Sequence, residues 1–319
     1  MEKRYIIGID QSTQGTKALL FDGVGHLLRR TDLPHRQIVN EKGWVSHDLN
    51  EIYRNTVQTV KTLVAESGVA PETIAGIGIS NQRETTAIWD KATGEPLEEA
   101  IVWQCGRASG IAQEIAEQGH AEEIREATGL QLSAYFPAAK MAWLLRNGGE
   151  ERQKRAADGK LCLGTIDSWL VYKLTGDHAF KTDFSNASRT QLFNLKTLAW
   201  DEKICEIFGI PACALARVCD SDAVYGTTTM EGLFSEPVPI CGVLGDSHAA
   251  LFGQGCLKPG MIKATYGTGS SLMMNIGDKP IQSSHGVVTS LAWGRGGKVD
   301  YVLELSLIHI SEPTRRVVI

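Results

Sequence analysis

The sequence has no pair of cysteines at C-x-x-C spacing, and its 7 cysteines are scattered along 319 residues. This pattern excludes a disulfide framework and a zinc site of the usual spacing, and it indicates buried thiols in a reducing compartment. Long runs of basic or acidic residues are also lacking, and the net charge is −5. The charge pattern therefore gives no indication of a nucleic-acid-binding or membrane-binding surface.

No apolar run reaches the ~18 residues that a membrane-spanning helix needs. The N-terminus runs directly into a predicted strand without the pattern of a signal peptide, so we expect a cytoplasmic protein with no membrane insertion. Hydrophobic residues make up 43% and charged residues 22% of the chain, as in ordinary globular proteins. The length exceeds what one hydrophobic core usually needs, which predicts two domains.

Strand and helix patterns alternate along the chain, and this alternation predicts the α/β class. Strands are predicted over 4–9 and 17–21 with a third near Leu27, so the chain opens with a meander whose first turn is rich in Gly, Ser and Thr. Asp48 opens a predicted helix, and 74–79 forms another buried strand. Further helices are predicted at about 109–118, 121–128, 138–146, 166–174 and 201–208.

Two segments, 5–17 and 261–273, share one form, namely a strand, a turn of small hydroxyl-bearing residues and a second strand. They lie about 250 residues apart, roughly the length of a domain. Backbone amides in such turns can bind anions, and glycine permits a close approach. The repeat favours a polyphosphate held between two domains, and ordinary hairpin turns are the alternative.

Asp246 follows an apolar run that ends at Gly245, and a helix is predicted to begin near Ala249 with Ser247 as its cap. A helix N-terminus favours an ionised carboxylate, and an ionised carboxylate at a strand end can accept a proton from a hydroxyl. Asp246 is thus a candidate general base, and a simple capping residue is the alternative.

Arg83 and Glu84 follow the predicted strand 74–79. An adjacent guanidinium and carboxylate can bind vicinal hydroxyls, because each hydroxyl both donates and accepts hydrogen bonds. Trp103, Tyr135 and Phe136 could cover the carbon face of a small polyol. A surface ion pair and ordinary core packing are the alternatives.

The ordered motifs resemble those of the FGGY carbohydrate kinases, and within that family those of the glycerol kinases. The resemblance covers residues 4 to about 304 in order. The matching segments are DQST at 10–13, GWVSHD at 43–48, SNQRETT at 80–86, IVWQC at 101–105, GTIDSWL at 164–170, DFSNASRT at 183–190, GD at 245–246 with AALFGQ at 249–254, and TYGTG at 265–269.

The resemblance implies an actin-like, ribonuclease-H-like fold of two domains that binds ATP and magnesium in the cleft between them. It implies ATP-dependent phosphorylation of a small polyol, most simply glycerol to glycerol 3-phosphate, with Asp246 as general base. The residues implied to bind the polyol are Arg83, Glu84, Tyr135, Asp246 and Ser247. Those implied to bind ATP are Thr13, Gln14, Gly15, Lys17, Thr268 and Gly269, and Asp10 would hold magnesium through water.

Some positions depart from the glycerol-kinase pattern. Ser247 stands where those enzymes usually have glutamine, Lys17 where they have arginine, and Ser12 where the family commonly has glycine. Serine is too short to reach the hydroxyl that glutamine would bind, so a kinase for another polyol or a ketose such as xylulose stays the alternative. The loop at 81–85 nevertheless differs from the Gln-Met-His-Gly type of the xylulose kinases. His248 is interpreted as structural, because Asp246 already supplies a base.

The resemblance divides the chain into an N-terminal polyol-binding domain at 1–253 and the start of a C-terminal nucleotide-binding domain at 254–304. Residues 305–319 resemble a translated sequencing adapter and are interpreted as a non-native tail. Family members are longer, so we expect this chain to have little activity of its own. A non-catalytic sugar sensor would lack the base that Asp246 provides. A homo-oligomer of the full-length protein is left open.

Overall fold

The computed structural model describes residues 4–266, 270–283 and 285–306. Within them the strands are β1 (Tyr5–Gln11), β2 (Gly15–Phe21), β3 (Leu27–Pro34), β4 (Ile38–Val39), β5 (Val45–His47), β6 (Ile74–Asn81), β7 (Thr86–Asp90), β8 (Ala100–Ile101), β9 (Leu161–Thr165), β10 (Lys181–Asp183), β11 (Phe193–Asn194), β12 (Ala199–Trp200), β13 (Arg217–Cys219), β14 (Gly226–Thr228), β15 (Val238–Gly245), β16 (Ile262–Tyr266), β17 (Ser270–Gly277), β18 (Val288–Arg295) and β19 (Lys298–Ser306). The helices are α1 (Leu49–Ser67), α2 (Ser109–Glu117), α3 (Ala121–Thr128), α4 (Pro137–Asn147), α5 (Gly149–Ala157), α6 (Ile166–Leu174), α7 (Phe184–Ala187), α8 (Glu202–Phe208) and α9 (Asp246–Gly253). The interleaving of strands and helices confirms the α/β class.

The central sheet has six strands in the order β14-β15-β6-β1-β2-β3. Strands β1, β6 and β15 run parallel, and their last residues stand side by side, with Gln11 opposite Asn81 and Asn81 opposite Gly245. The polar segments that follow these three strands are therefore brought to one edge of the sheet. The chain segments near residues 12, 83 and 246 lie close together at this edge.

Helix α1 covers one face of this sheet, as its pattern predicts. The Asp48 carboxylate accepts a hydrogen bond from Asn50 N at 2.8 Å, and Gly68 ends the helix with a φ of 71°. The apolar face of α1, formed by Ile52, Val57, Val60, Leu63 and Val64, is buried together with β1, β2, β6, β15 and α6 in one core. Burial of this face, rather than helix propensity, supplies most of the helix's stability.

A second sheet has the order β4-β5-β8-β7-β9, and helices α2, α4 and α8 pack in its core. The sequence analysis missed β9 and α5. Strand β9 is buried at all five positions, and such a short apolar run does not distinguish a strand from a helix. Helix α5 buries only Ala156, so it has no apolar periodicity to detect.

A four-stranded sheet has the order β16-β17-β19-β18 and packs against α9 and α7. Both predicted hairpins, β1–β2 and β16–β17, occur as antiparallel pairs. Strand β19 continues two residues past Glu304, with Leu305 opposite Leu272. Most of the predicted tail lies outside the described residues, and the division into domains stays a prediction. No helix in the described part of the chain is long and apolar enough to cross a membrane.

Candidate active site

A cavity of about 580 Å³ lies where the parallel strands β1, β6 and β15 end. All the residues predicted to bind a polyol line this cavity, and so does Thr13 from the first hairpin. The lining residues are Thr13, Arg83, Glu84, Trp103, Gln131, Leu132, Ser133, Tyr135, Phe136, Arg189, Asp246, Ser247, Thr265, Ser271, Gly286, Val288 and Glu304.

Asp246 is the first residue of α9, and Gly245 is its N-cap. The expectation of a helix start near Ala249 with a Ser247 cap is therefore wrong, because the helix follows the strand without a connecting segment. Ser247 N instead donates to Asp246 Oδ1 at 2.6 Å. The carboxylate thus stands in the first turn of a helix, where the helix dipole favours its ionised form.

The electrostatic surroundings of Asp246 suit a proton acceptor. Burial raises the pKa of its carboxyl above the ordinary value, the Arg83 guanidinium opposes that rise, and the Glu84 carboxylate adds to it. The side chain is still 43% exposed, and it lines the cavity. A carboxylate of raised pKa that a substrate can reach is a stronger base than an ordinary surface aspartate.

Arg83 is held in place by residues from distant parts of the chain. Its Nη1 and Nη2 donate to Glu304 Oε2 and Oε1, both at 2.9 Å, and its Nε lies 3.2 Å from Asp246 Oδ1. A Cβ at Gly245 would lie 2.8 Å from Arg83 Cγ and Cδ. The absence of a side chain at Gly245 is therefore what lets the Arg83 side chain cross the end of β15.

A second arginine, Arg189, extends this ionic cluster. Arg189 Nε donates to Glu84 Oε1 at 2.6 Å, and Arg189 Nη1 lies 3.0 Å from Glu304 Oε2. Glu84 has a φ of 59°, a backbone conformation that costs energy for a residue with a side chain and is often found at functional sites. We call Arg83, Glu84, Arg189, Asp246 and Glu304 the ionic cluster.

The sequence analysis missed Arg189 and Glu304 as site residues. Arg189 lies in the DFSNASRT segment that carried the resemblance, but nothing in that segment indicates the direction of its side chain. Glu304 is flanked by Leu303 and Leu305 in a strand that also carries Lys298 and Asp300. A carboxylate between two leucines is the one signal that could have identified it.

One wall of the cavity is aromatic. The rings of Trp103 and Tyr135 lie 5.8 Å apart, and Trp103 Nε1 donates to Thr13 Oγ1 at 2.9 Å. The Arg189 guanidinium lies 5.1 Å from the centre of the Phe136 ring. Behind this wall, Lys140 Nζ donates to the backbone oxygen of Tyr135, and burial lowers the pKa of Lys140 to about 7.

The first hairpin borders the cavity but sends only Thr13 into its lining. Lys17 Nζ forms an ion pair with Asp10 Oδ2 at 2.9 Å, and Gln14 is exposed. A Cβ at Gly15 would lie 2.5 Å from the backbone oxygen of Leu33, so this glycine allows β3 to approach the turn. Ser12, which replaces the family's glycine, closes the turn, and its Oγ donates to Gly15 O at 3.0 Å.

Thr268 and Gly269, the two nucleotide contacts predicted from the second hairpin, lie outside the described residues. His248 is fully buried behind the cavity, and its Nε2 lies 3.4 Å from Ser290 Oγ. Burial lowers the pKa of His248 well below its ordinary value. This geometry supports the structural interpretation of His248.

A buried polar network lies behind Asp246. The Asp183 carboxylate accepts hydrogen bonds from Ser185 Oγ at 2.9 Å and from Ser221 Oγ at 2.7 Å. Ser185 Oγ in turn accepts from Gly245 N at 2.9 Å. The residue immediately before the candidate base is thereby fixed to the core by a fully buried carboxylate.

Solved structures share this architecture. Glycerol kinase of Plasmodium falciparum, solved with ADP, superposes with a TM-score of 0.88 at 34% identity, covering 100% of this chain and 65% of that one. A xylulose kinase of Lactobacillus acidophilus superposes with a TM-score of 0.84 at 23% identity, covering 98% of this chain and 62% of that one. The fold is thus the actin-like ATPase fold of the sugar kinases.

Residues 5–253 match the FGGY family of carbohydrate kinases, N-terminal domain. The chain belongs to this family. Glycerol kinase 2 of Thermotoga maritima is 46% identical over 304 residues, which cover 95% of this chain and 61% of the relative. Glycerol kinase of Symbiobacterium thermophilum is 47% identical over 307 residues, which cover 96% of this chain and 61% of the relative. The chain thus spans about three-fifths of the length of these relatives.

Proposed function

We propose that the whole protein phosphorylates glycerol to glycerol 3-phosphate with ATP, and that Asp246 is the general base. The observation that carries the proposal is the position of Asp246, at the start of α9 beside Arg83 and on the wall of a 580 Å³ cavity. The similarity to glycerol kinases at 46% identity supports the choice of substrate.

In this mechanism a glycerol hydroxyl donates its proton to an Asp246 carboxylate oxygen. The hydroxyl oxygen forms a bond to the γ-phosphorus as the bond between that phosphorus and the β–γ bridging oxygen breaks, and ADP leaves. Arg83, Glu84 and Tyr135 orient the other hydroxyls and the carbon chain. Positioning and charge neutralisation supply most of the rate enhancement in phosphoryl transfer.

The nucleotide phosphates would lie along the first hairpin, near Thr13, Gln14, Gly15 and Lys17, with Thr268 and Gly269 opposite. No cluster of three or more potential metal ligands occurs in the described residues. A single carboxylate such as Asp10 is compatible with Mg²⁺ binding, since this ion is commonly held by one or two carboxylates, water and substrate phosphates. Magnesium bound there would neutralise phosphate charge, and Lys17, 2.9 Å from Asp10, would add a second positive charge.

Glycerol is favoured over a ketose by the relatives, since the xylulose kinase superposes at only 23% identity and shows the fold alone. Ser247 replaces the glutamine expected in glycerol kinases, and a water molecule between Ser247 and the substrate would fill the remaining space. All 7 cysteines are unpaired, which supports a reducing compartment and hence the cytoplasm.

The test has a binding arm and a turnover arm. Calorimetric titration of this chain with glycerol and with xylulose measures whether the cavity takes a polyol. A coupled ADP-release assay is run on this chain and on a version extended to the length of its relatives. We expect glycerol turnover by the extended version and little by this chain. Turnover of xylulose without glycerol would refute the substrate assignment.

A further inference from the structure

We propose that Glu304 makes the cavity selective for uncharged polyols, because its carboxylate already occupies both terminal nitrogens of Arg83, the guanidinium that faces the substrate. Without the Glu304 carboxylate, Arg83 could form the same two hydrogen bonds with the carboxylate of a sugar acid. The inference rests on the proposed polyol site and names the class of substrate that this site rejects.

The ionic cluster is a continuous chain of short contacts. Glu304 binds Arg83 through two hydrogen bonds of 2.9 Å and lies 3.0 Å from Arg189, while Arg189 donates to Glu84 at 2.6 Å. Arg83, Glu84, Arg189 and Glu304 are each at most 8% exposed. Charges this deeply buried are weakly screened, so the balance among them determines which ligands can enter.

Both guanidiniums of the ionic cluster already have carboxylate partners. The carboxylates of Glu84, Asp246 and Glu304 face the guanidiniums of Arg83 and Arg189, and the buried amine of Lys263 also interacts with Glu304 and Asp246. The two guanidiniums hold the pKa of Glu304 well below its ordinary range, so this carboxylate stays charged. A carboxylate substrate would add a further buried negative charge, whereas a polyol adds none.

The cluster nevertheless keeps hydrogen-bond donors for hydroxyl groups. A guanidinium carries five N–H donors, and the bidentate contact to Glu304 takes only one from each terminal nitrogen of Arg83. Arg83 lines the cavity, so the remaining N–H groups on its terminal nitrogens can face a substrate hydroxyl. Neutral oxygen acceptors can therefore bind where a second carboxylate is repelled.

Glycerate tests this inference, because it has the three carbons of glycerol and is ionised at neutral pH. We expect glycerol to bind to the native chain at least about tenfold more tightly than glycerate in calorimetric titrations, since like charges in a buried site repel. In the Glu304→Gln variant, which keeps the shape and removes one negative charge, the ratio of glycerate to glycerol affinity should rise about tenfold or more.

Glu66→Gln is the matched control, because Glu66 also pairs with an arginine, Arg29, but on the exposed surface. We expect it to leave the glycerate-to-glycerol ratio unchanged. Equal affinity of the native chain for glycerate and glycerol would overturn the inference, even if Glu304→Gln failed to fold. An unchanged ratio in folded Glu304→Gln would also overturn it. Absence of glycerol binding by both this chain and the extended version would refute the proposed function instead. A gain of glycerate binding in Glu304→Gln would still support the charge argument.

Discussion

Arg83 and Glu304 are 221 positions apart in the sequence, and their side chains form a bidentate ion pair with both N–O distances at 2.9 Å. One partner follows a strand of the central sheet, and the other lies in the last described strand. The pair therefore joins the central six-stranded sheet to the four-stranded sheet at the cavity. Removing Arg83 would deprive both Asp246 and Glu304 of their shared guanidinium, and breaking a buried ion pair in this way typically costs about 3–5 kcal/mol.

Replacement of the candidate base tests the mechanism most directly. Asp246→Asn should lower kcat of the extended protein by about 10²–10⁴-fold, because an amide of the same shape cannot accept the hydroxyl proton. Glycerol affinity should change much less. Asp222→Asn is the control, since Asp222 pairs with Arg295 at the surface at 3.6 Å. Turnover by Asp246→Asn at the native rate would exclude Asp246 as the base.

The close approach of the Arg83 side chain to Gly245 gives a second prediction. Gly245→Ala should weaken glycerol binding and cost about 1–3 kcal/mol of stability, because the added Cβ would lie 2.8 Å from two atoms of Arg83. Gly253→Ala at the other end of α9 is the control, since its Cβ would meet nothing within 4 Å. Titration calorimetry and urea unfolding measure both effects. Equal behaviour of the two variants would contradict the proposed role of this contact.

The buried network behind the base predicts a loss of stability. Ser185→Ala should cost about 1–3 kcal/mol in urea unfolding, because it leaves the Gly245 N–H and the Asp183 carboxylate each without one hydrogen-bond partner. The control Ser109→Ala removes an exposed hydroxyl that donates to the backbone oxygen of Gly106 at 2.5 Å. Its effect should stay within about 0.5 kcal/mol. Comparable losses of stability in both variants would show that the buried network contributes no more stability than an exposed hydrogen bond.

Two buried imidazoles predict a dependence of stability on pH. Burial lowers the pKa of His47 to about 3 and also lowers that of His35, whose ring lies 4.6 Å away. The unfolded chain binds a proton below about pH 6.5 and the folded chain does not, so stability falls as pH drops below 6.5. His47 alone should contribute a loss of up to about 2 kcal/mol between pH 7 and pH 5.

Urea unfolding at several pH values checks this prediction. His47→Gln should reduce the loss of stability between pH 7 and pH 5, because glutamine does not titrate. His26→Gln should not, since His26 is exposed and pairs with Asp22 on the surface. A pH dependence that is the same in the native chain and in His47→Gln would rule out His47 as its source.

Local signals predicted much of the fold. Asp48 is the N-cap of α1, as its sequence predicts, and the Ser-Thr-Gln-Gly segment at 12–15 forms the predicted turn between β1 and β2. These features depend on neighbouring residues and are therefore visible in the sequence. The start of α9 was misplaced because a helix that follows a strand directly has no turn residues to mark its first position.

The sequence by itself determined the α/β class, the family and the residue types of the site, because cap residues, apolar periodicity and ordered motifs are local properties of the chain. It also identified Asp246, Arg83 and Glu84 as candidates from their positions after predicted strands. Only the tertiary structure decided that Glu304 and Arg189 join them. Charge balance in a buried site depends on which side chains converge, and the pairing of Arg83 with a strand 221 positions away is set by the packing of whole sheets.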